Sequence, residues 1–243
     1  MTVRALFTTS WDDGHPLDLR LAEMLGRYGL KGTFYIPSPE SGLTTVTASE
    51  IRSLHEAGME IGAHTMSHAV LTGLDSGRVR REVRDSKNWL ENILGEPVHA
   101  FCYPLGKFNA RVCSIVQECG FLIARTTVAF QSGRQFDPIR MPVSCQFMRH
   151  SRQIHLRHAL REVNAGGLIR WLYQMRATDD LDTLCARMIR NAADSGGVFH
   201  PWGHSWEIEE HGLWPMLDHM LRLVAAEREF EPVTNSRLVE VGV

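Results

Sequence analysis

The alternation of short apolar strands with amphipathic helices is the feature that most restricts the fold of this chain. Between residues 5 and 128, strand-like runs such as residues 32–37 alternate with stretches whose apolar residues recur every three or four positions. Glycine or proline ends most of these segments, and Thr47 with Glu50 forms a capping-box pattern before one helix. The pattern predicts parallel strands joined by right-handed helical crossovers, which either an open doubly wound sheet or a (β/α) barrel would satisfy.

Length and composition predict a single domain covering residues 1–243. The chain has 44% hydrophobic and 22% charged residues, as a globular protein does, and we expect a helical insertion at residues 149–176. A formal net charge of -2 gives no reason to expect nucleic acid or an anionic membrane as partner, and the oligomeric state stays open. The five cysteines include no CxxC pair, and neither a membrane span nor a secretory signal is recognisable, so we expect a cytoplasmic protein.

Two adjacent carboxylates end the first predicted strand. The strand-like residues 5–9 are followed by Asp12, Asp13 and Gly14. An Asp-Asp-Gly sequence by itself is an ordinary turn. At the carboxyl end of a strand in an α/β fold, however, acidic side chains can meet partners from later strands, so the sequence predicts a functional pair if such partners exist.

Two histidines follow a later predicted strand, at residues 59–63. His64 and His68 are four positions apart, a spacing that would place both rings on one face of a helical turn. One carboxylate and two imidazoles form a three-ligand set for a divalent metal, with coordination positions left open. Non-haem iron oxygenases use the same ligand types, but usually as His-x-Asp on an all-β scaffold. Five other histidines are interpreted as solvated surface residues: His55, His150, His155, His158 and His219.

The sequences SWDDG and HTMSH, at residues 10–14 and 64–68, resemble the first two motifs of the polysaccharide deacetylase family, whose members carry the NodB homology domain of carbohydrate esterase family 4. The resemblance implies a distorted (β/α) barrel, which we prefer because no GxGxxG follows the first strand. It further implies that Asp12 is the general base. Asp13 and the two histidines would hold a divalent metal, zinc foremost, with cobalt, manganese, iron or nickel as alternatives.

The sequence FCYPLG at residues 101–106 resembles the third family motif, RxPxG, but Cys102 stands where the arginine is expected. In the family this arginine orients the catalytic base. Arg125, at the end of the next predicted strand, is our candidate to replace it, the alternative being a surface arginine. The resemblance implies that the Leu105 backbone N–H helps to bind the oxyanion. Tyr103 of the same motif is predicted to bind substrate.

The sequence VFH at residues 198–200 resembles the fifth motif, LxH, which implies that His200 is the general acid and that Val198 lines the acetyl-methyl pocket. A histidine with a pKa near 6.5 suits proton donation at neutral pH. His204 is the main rival for this role. Trp202 would either stack on a sugar ring or pack in the core. The fourth motif is not found, and Asp137 is the only candidate for its aspartate.

The predicted activity is metal-dependent hydrolysis of the N-acetyl group of a sugar or glycan precursor. The expected cytoplasmic location favours a soluble precursor of surface polysaccharide. Two alternatives stay open: a metal-dependent amidohydrolase acting on a small cyclic amide, and a non-catalytic sugar-binding relative, which Cys102 and the missing fourth motif would allow.

Overall fold

The computed structural model describes residues 4–160 and 164–242. Its strands are β1 (Ala5–Phe7), β2 (Ser10–Asp12), β3 (Thr33–Ile36), β4 (Glu60–Ala63), β5 (Ala100–Cys102), β6 (Ile123–Arg125), β7 (Cys145–Gln146), β8 (Val198–Phe199), β9 (Pro201–Gly203) and β10 (Phe230–Pro232). The helices are α1 (Asp18–Arg27), α2 (Ala48–Glu56), α3 (Ser76–Leu94), α4 (Ala110–Glu118), α5 (Arg152–Leu160), α6 (Ala165–Ile169), α7 (Leu181–Ser195), α8 (Ser205–Glu210), α9 (Trp214–Ala226) and α10 (Asn235–Glu240).

The strands form a curled parallel sheet in the order β6-β5-β4-β3-β2-β9-β7. Its two edges approach each other, because the backbone N–H of Thr126 bonds to the carbonyl of Met141 (2.8 Å) and that of Val143 to Val128 (2.9 Å). A smaller parallel sheet, β10-β1-β8, lies where β1 and β8 lead into β2 and β9. The predicted distorted (β/α) barrel is confirmed, and the open doubly wound sheet is excluded.

Side chains along the strands alternate between the helix layer and the barrel interior, as the two-residue period of a strand requires. Trp11 and Phe101 belong to the core between sheet and helices, whereas Cys102 packs in a separate interior cluster. By the same alternation Asp12 and Arg125 face inward, and the register pairs Cys102 with Arg125 on adjacent strands. The interior of the barrel therefore collects charged and polar groups from distant parts of the sequence.

The glycine in β4 makes room for a buried tyrosine ring inside the barrel. A Cβ atom on Gly62 would come within 2.5 Å of the Tyr35 ring, so no larger residue fits beside this buried tyrosine. His64 lies two positions after Gly62 and so continues on the interior side of the strand. The packing of β3 against β4 thus directs the first histidine toward the barrel mouth.

Several predicted boundaries change in the structure. The capping box of α2 is confirmed, since Thr47 Oγ1 accepts the N–H of Glu50 and the Glu50 carboxylate accepts the N–H of Thr47. Between residues 139 and 147 the chain forms only β7 and one bridge at Met141, because residues 138–140 form a 3₁₀ turn that begins at a proline. The predicted first strand is divided into β1 and β2.

The predicted helical insertion at residues 149–176 contains α5, α6 and a π-helical turn, Arg170–Gln174. Residues 161–163, which fall within this predicted insertion, lie outside the described residues. Across the described ranges, no helix is long and apolar enough to cross a membrane.

Candidate active site

A cavity of about 490 Å³ opens at the carboxyl ends of the strands. Its walls come from the ends of β2, β4 and β9, from β7, from the segments after β5 and β6, and from α5, which contributes His158. A cavity of this size at the C-terminal face of a barrel is the usual position of a small-molecule site. Six of the ten residues predicted for the site line it: Asp12, Asp13, His64, His68, Leu105 and Trp202.

Asp13, His64 and His68 converge in this cavity. Asp13 Oδ1 lies 3.4 Å from His68 Nε2 and 3.8 Å from His64 Nε2, and the two Nε2 atoms are 3.2 Å apart. Asp13 Oδ1 is buried and has no hydrogen-bond partner among the described residues. A buried carboxylate oxygen without a partner is costly unless something else binds it. The three side chains therefore fit a divalent metal ion, and the predicted ligand set is brought together.

The two histidines are held in ways that leave their Nε2 atoms facing the cavity. His64 Nδ1 lies 2.9 Å from the backbone carbonyl of Cys102 and, as a donor to it, would keep the Nε2 lone pair available. Burial lowers the pKa of His64 to about 4, which favours the neutral imidazole that a metal requires. His68 sits on a loop with φ 54°, after Thr65 with φ 67°, so the predicted helical turn is wrong.

Glu82 of α3 anchors the loop between these histidines, although it belongs to none of the motifs recognised in the sequence. Its carboxylate accepts the backbone N–H groups of Met66 (3.1 Å) and Ser67 (2.9 Å) and the Ser67 hydroxyl (2.7 Å). These bonds offset part of the cost of the left-handed residues around them. Its position, fourteen residues beyond the motif on an amphipathic helix, gives no sign of this contact in the sequence.

Arg125 contacts Asp12 inside the barrel. Its Nη2 atom donates to Asp12 Oδ2 and lies 2.8 Å from Cys102 Sγ, and the guanidinium is fully buried. The guanidinium carbon also lies 4.5 Å from the centre of the Trp202 ring, a cation–π contact. The alternative of a surface arginine is wrong. The small Cys102 side chain leaves room for an arginine that arrives from the neighbouring strand.

The electrostatics around Asp12 favour its ionised form. Burial alone would raise the pKa of this carboxyl, but the charge of Arg125, with smaller contributions from His64 and His204, lowers it overall. Burial raises the pKa of the Cys102 thiol well above its usual range, so this residue stays a neutral thiol. Asp12 Oδ1 is buried and has no hydrogen-bond partner within the described chain. The carboxylate thus has one oxygen held by Arg125 and one available.

His204 lies at the cavity, and Glu207 orients it. His204 Nδ1 is 2.6 Å from Glu207 Oε2, and His204 Nε2 is 3.8 Å from Asp13 Oδ2. Gln146 Nε2 donates to the same Glu207 oxygen at 3.2 Å. Burial lowers the pKa of His204, but the Glu207 hydrogen bond and the negative charge of Asp12 raise it overall. The arrangement is that of an imidazole with one nitrogen held by a carboxylate and the other facing the cavity.

His200 lies elsewhere, deeper in the barrel. Its Nε2 is 2.7 Å from Ser10 Oγ and its Nδ1 is 3.0 Å from the carbonyl of Pro142, and the ring is almost completely buried. Residues 198, 200, 202 and 204 all face inward along the β8–β9 chain segment, and Trp202 pairs with Ser10. His200 is therefore about 13 Å below His204 along an extended chain, too deep for the cavity.

Val198 and Tyr103 are also placed away from the cavity. Val198 packs in the interior cluster at the opposite end of the barrel. The Tyr103 hydroxyl donates to the carbonyl of Ile139 (2.9 Å), and its ring is buried between sheet and helices. Asp137 accepts the N–H of Ile139 at a 3₁₀ turn, which is a capping role. The substrate-binding positions predicted at Val198 and Tyr103 therefore need correction, because Tyr103 faces the helix layer and Val198, although it faces inward, lies too deep to reach the mouth.

The histidines interpreted as solvated divide into two groups. His55 and His219 are partly exposed and pair with Glu96 and Asp182 on the surface. His150, His155 and His158 instead cluster, with ring centres 5.7 Å apart for His150 and His155 and 5.0 Å apart for His150 and His158. His155 is buried and the other two rings are half-buried, so the surface interpretation is wrong for His155. Tertiary packing of α5 over the cavity brings these rings together.

Residues 4–124 match the family model described as polysaccharide deacetylase. Through this segment, the chain belongs to the polysaccharide deacetylase family. Two curated relatives have names that fit this family. The chain is 25% identical over 122 residues to YxkH of Bacillus subtilis, which is named as a polysaccharide deacetylase. It is 27% identical over 128 residues to a chitin deacetylase of Pestalotiopsis sp.. These alignments cover 50% and 52% of this chain but only 41% and 43% of the relatives, so the chain spans less than half of their length.

A solved structure shows the same fold over nearly the whole chain. The polysaccharide deacetylase homologue from Mycobacterium smegmatis superimposes with a TM-score of 0.71 at 18% identity, covering 99% of this chain and 91% of that one. The fold inferred from the sequence motifs is thereby confirmed, and the family-model match confirms the family.

Proposed function

We propose that this protein is a metal-dependent deacetylase that hydrolyses the N-acetyl group of a sugar or glycan precursor. The observation that carries the proposal is the convergence, in one cavity, of a candidate metal triad (Asp13, His64, His68), a buried carboxylate, Asp12, and an oriented imidazole, His204. Acyl transfer to water needs a base, a stabiliser for the oxyanion and an acid for the leaving amine, and these groups can fill those roles.

Asp12 is the proposed general base. Arg125 binds Oδ2, which leaves the buried Oδ1 as the atom that takes a proton from the attacking water. Arg125 thereby performs the orienting role that the family assigns to the arginine of its third motif. The non-catalytic alternative is based mainly on Cys102, which stands where that arginine is expected. Because the buried Arg125 guanidinium pairs with the Asp12 carboxylate, the main reason for this alternative is removed.

His204, rather than His200, is the proposed general acid. Its Nε2 faces the cavity and would donate a proton to the amine as the carbon–nitrogen bond breaks, giving acetate and a free amino sugar. Glu207 holds Nδ1 and so fixes the ring in position, as a carboxylate paired with a catalytic histidine does.

Asp13, His64 and His68 are the proposed ligands of a divalent cation, zinc foremost. When bound, the cation would supply Lewis-acid polarisation of the acetyl carbonyl and of the attacking water. Leu105, on the cavity wall with φ 55°, is the proposed source of a backbone N–H for the oxyanion. Trp202 and Trp206 give the cavity aromatic surface against which a sugar ring can pack.

Acetate release by metal-stripped protein, with zinc, cobalt, manganese, iron or nickel added back, tests the proposal. We expect acetate release from N-acetyl hexosamines and their oligomers with at least one metal, and no ring opening of cyclic ureides or imides in a parallel assay. Asp12→Asn should lower the rate by about 10²- to 10⁴-fold, as loss of a general base does.

Two outcomes would contradict the proposal. Turnover of cyclic amides without turnover of acetylated sugars would make the protein an amidohydrolase of the same fold. Glycan binding without acetate release under any metal, with affinity unchanged in Asp12→Asn, would make it a binding protein.

A surface-polysaccharide role in the cytoplasm remains part of the proposal, and finding the native protein in a secreted fraction would contradict that role.

A further inference from the structure

The carboxylate of Asp13 needs a partner that decides which of its oxygens faces the histidines. Rotation about the terminal bond of an aspartate side chain is broad, so the backbone alone does not select one orientation. Oδ1 faces His64 and His68, whereas Oδ2 accepts the indole N–H of Trp206 at 3.2 Å. Indole nitrogen is a donor only, so this contact fixes Oδ2 and leaves Oδ1 for another ligand.

Trp206 is itself held in place. Its ring packs on the His204 imidazole with centres 5.3 Å apart and an angle of 34° between the planes, and it belongs to the first turn of α8. One edge of the ring remains exposed at the rim of the cavity. The indole is thus positioned by α8 and reaches across to the strand end that carries Asp13.

We infer that Trp206 is a positioning residue for the metal site: its indole N–H orients Asp13 so that Oδ1 completes the ligand set with the two imidazoles. The inference rests on the proposed metal site and adds a determinant of metal affinity that the ligand pattern does not contain. Outer hydrogen bonds of this kind typically change metal affinity by about 10- to 100-fold.

Trp206→Phe tests this inference because phenylalanine keeps an aromatic ring on His204 and removes the N–H. Metal-free protein would be titrated with zinc against a competing chromophoric chelator. We expect about 10-fold weaker zinc binding in Trp206→Phe than in the wild type. The visible spectrum of the cobalt-substituted protein should change as well, because the orientation of Asp13 is no longer fixed.

Trp214→Phe is the matched control. Trp214 also donates its indole N–H to a carboxylate, that of Glu209, but outside the cavity. Its zinc affinity and cobalt spectrum should equal those of the wild type. Thermal unfolding of the metal-free proteins separates a change at the site from a general loss of structure.

Zinc affinity in Trp206→Phe within twofold of the wild type would overturn the inference while leaving the proposed function intact, provided the wild type binds metal and releases acetate. A wild type that binds no divalent metal would overturn both. Equal losses in Trp206→Phe and Trp214→Phe would mean that a general change in the structure, not the loss of the hydrogen bond to Asp13, lowers the affinity, and would also overturn the inference.

Discussion

The barrel contains two polar clusters that differ in how completely they are satisfied. At the mouth, Asp12 and Asp13 each keep one buried oxygen without a hydrogen-bond partner among the residues described. At the base, Asn235 bonds to Thr8, Ser10 and Tyr35 through both ends of its amide. Ser10 in turn contacts His200, so the base cluster extends across the barrel with its side-chain groups paired.

Backbone conformation follows the same division. Four non-glycine residues at the mouth have positive φ: Asp13, Thr65, His68 and Leu105. The residues of the base cluster do not appear among the left-handed positions of the described chain. Strained backbone and unpaired buried atoms are both costly and tend to persist at functional sites. The comparison therefore assigns ligand binding to the mouth and fold stability to the base.

A pair of histidine substitutions tests this division most strongly. His204→Ala should lower kcat for an N-acetyl sugar by about 10²- to 10⁴-fold, because the leaving amine loses its proton donor. His200→Leu should leave kcat near the wild-type value below its unfolding temperature. Hydrolysis of 4-nitrophenyl acetate, whose leaving group needs no proton, should fall far less in His204→Ala. Loss of activity in His200→Leu but not in His204→Ala would restore His200 as the acid.

Arg125→Met should have the largest effect on stability, since it leaves the Asp12 carboxylate buried without its cation. Breaking a buried ion pair in this way costs about 3–5 kcal/mol of unfolding free energy, measured by urea denaturation. Adding Asp12→Asn to the same protein should recover most of that loss. As a control, Arg80→Met breaks the exposed pair with Glu118 and should cost at most about 1 kcal/mol. A loss no larger than this control would contradict the buried pairing.

Asn235→Leu should destabilise the base without affecting the mouth. The substitution leaves buried hydroxyl groups unpaired, at a cost of about 1–3 kcal/mol for an unsatisfied group. The folded variant should retain its kcat and its metal affinity. Asn88→Leu, at an exposed position of α3, serves as the control and should change stability little. Reduced metal affinity in Asn235→Leu would show that the two clusters are coupled.

The last expected effect is a pH dependence of stability that arises from His200. Burial, and then the charge of Arg125, lowers the pKa of His200 to about 3, while Asp12 acts in the opposite direction. The unfolded chain binds a proton near pH 6.5 and the folded chain does not, so stability is lost as pH falls from 6.5 toward 3.

In that window His200 should contribute roughly 1.4 kcal/mol of lost stability per pH unit. Urea unfolding at several pH values should show a smaller slope for His200→Leu than for the wild type. His155, whose pKa burial lowers to about 4, adds a slope to both proteins, so the difference isolates His200. Identical slopes would mean that His200 is not buried in its neutral form.

Much of the site could be predicted because its ligands follow local patterns. Asp12 and Asp13 end a strand, and His64 and His68 follow another, so the barrel topology alone brings them to one edge. Arg125 was predicted as a candidate because it ends the next predicted strand, and the register of the structure places it beside Cys102. Glu82 and Glu207 were missed, since each acts through contacts with loops whose conformation no spacing rule describes.

The choice between His200 and His204 could not be made from the sequence alone. Both residues share the inward face of one chain segment, so their alternation is the same and only depth distinguishes them. Depth depends on the register of β9 with β2, which pairs Ser10 with Trp202 and raises His204 to the mouth. The sequence by itself determined the fold class, the metal ligands proposed here and the inward direction of these side chains. Only the tertiary structure decided which of them reach the cavity, because register is set by the packing of whole strands.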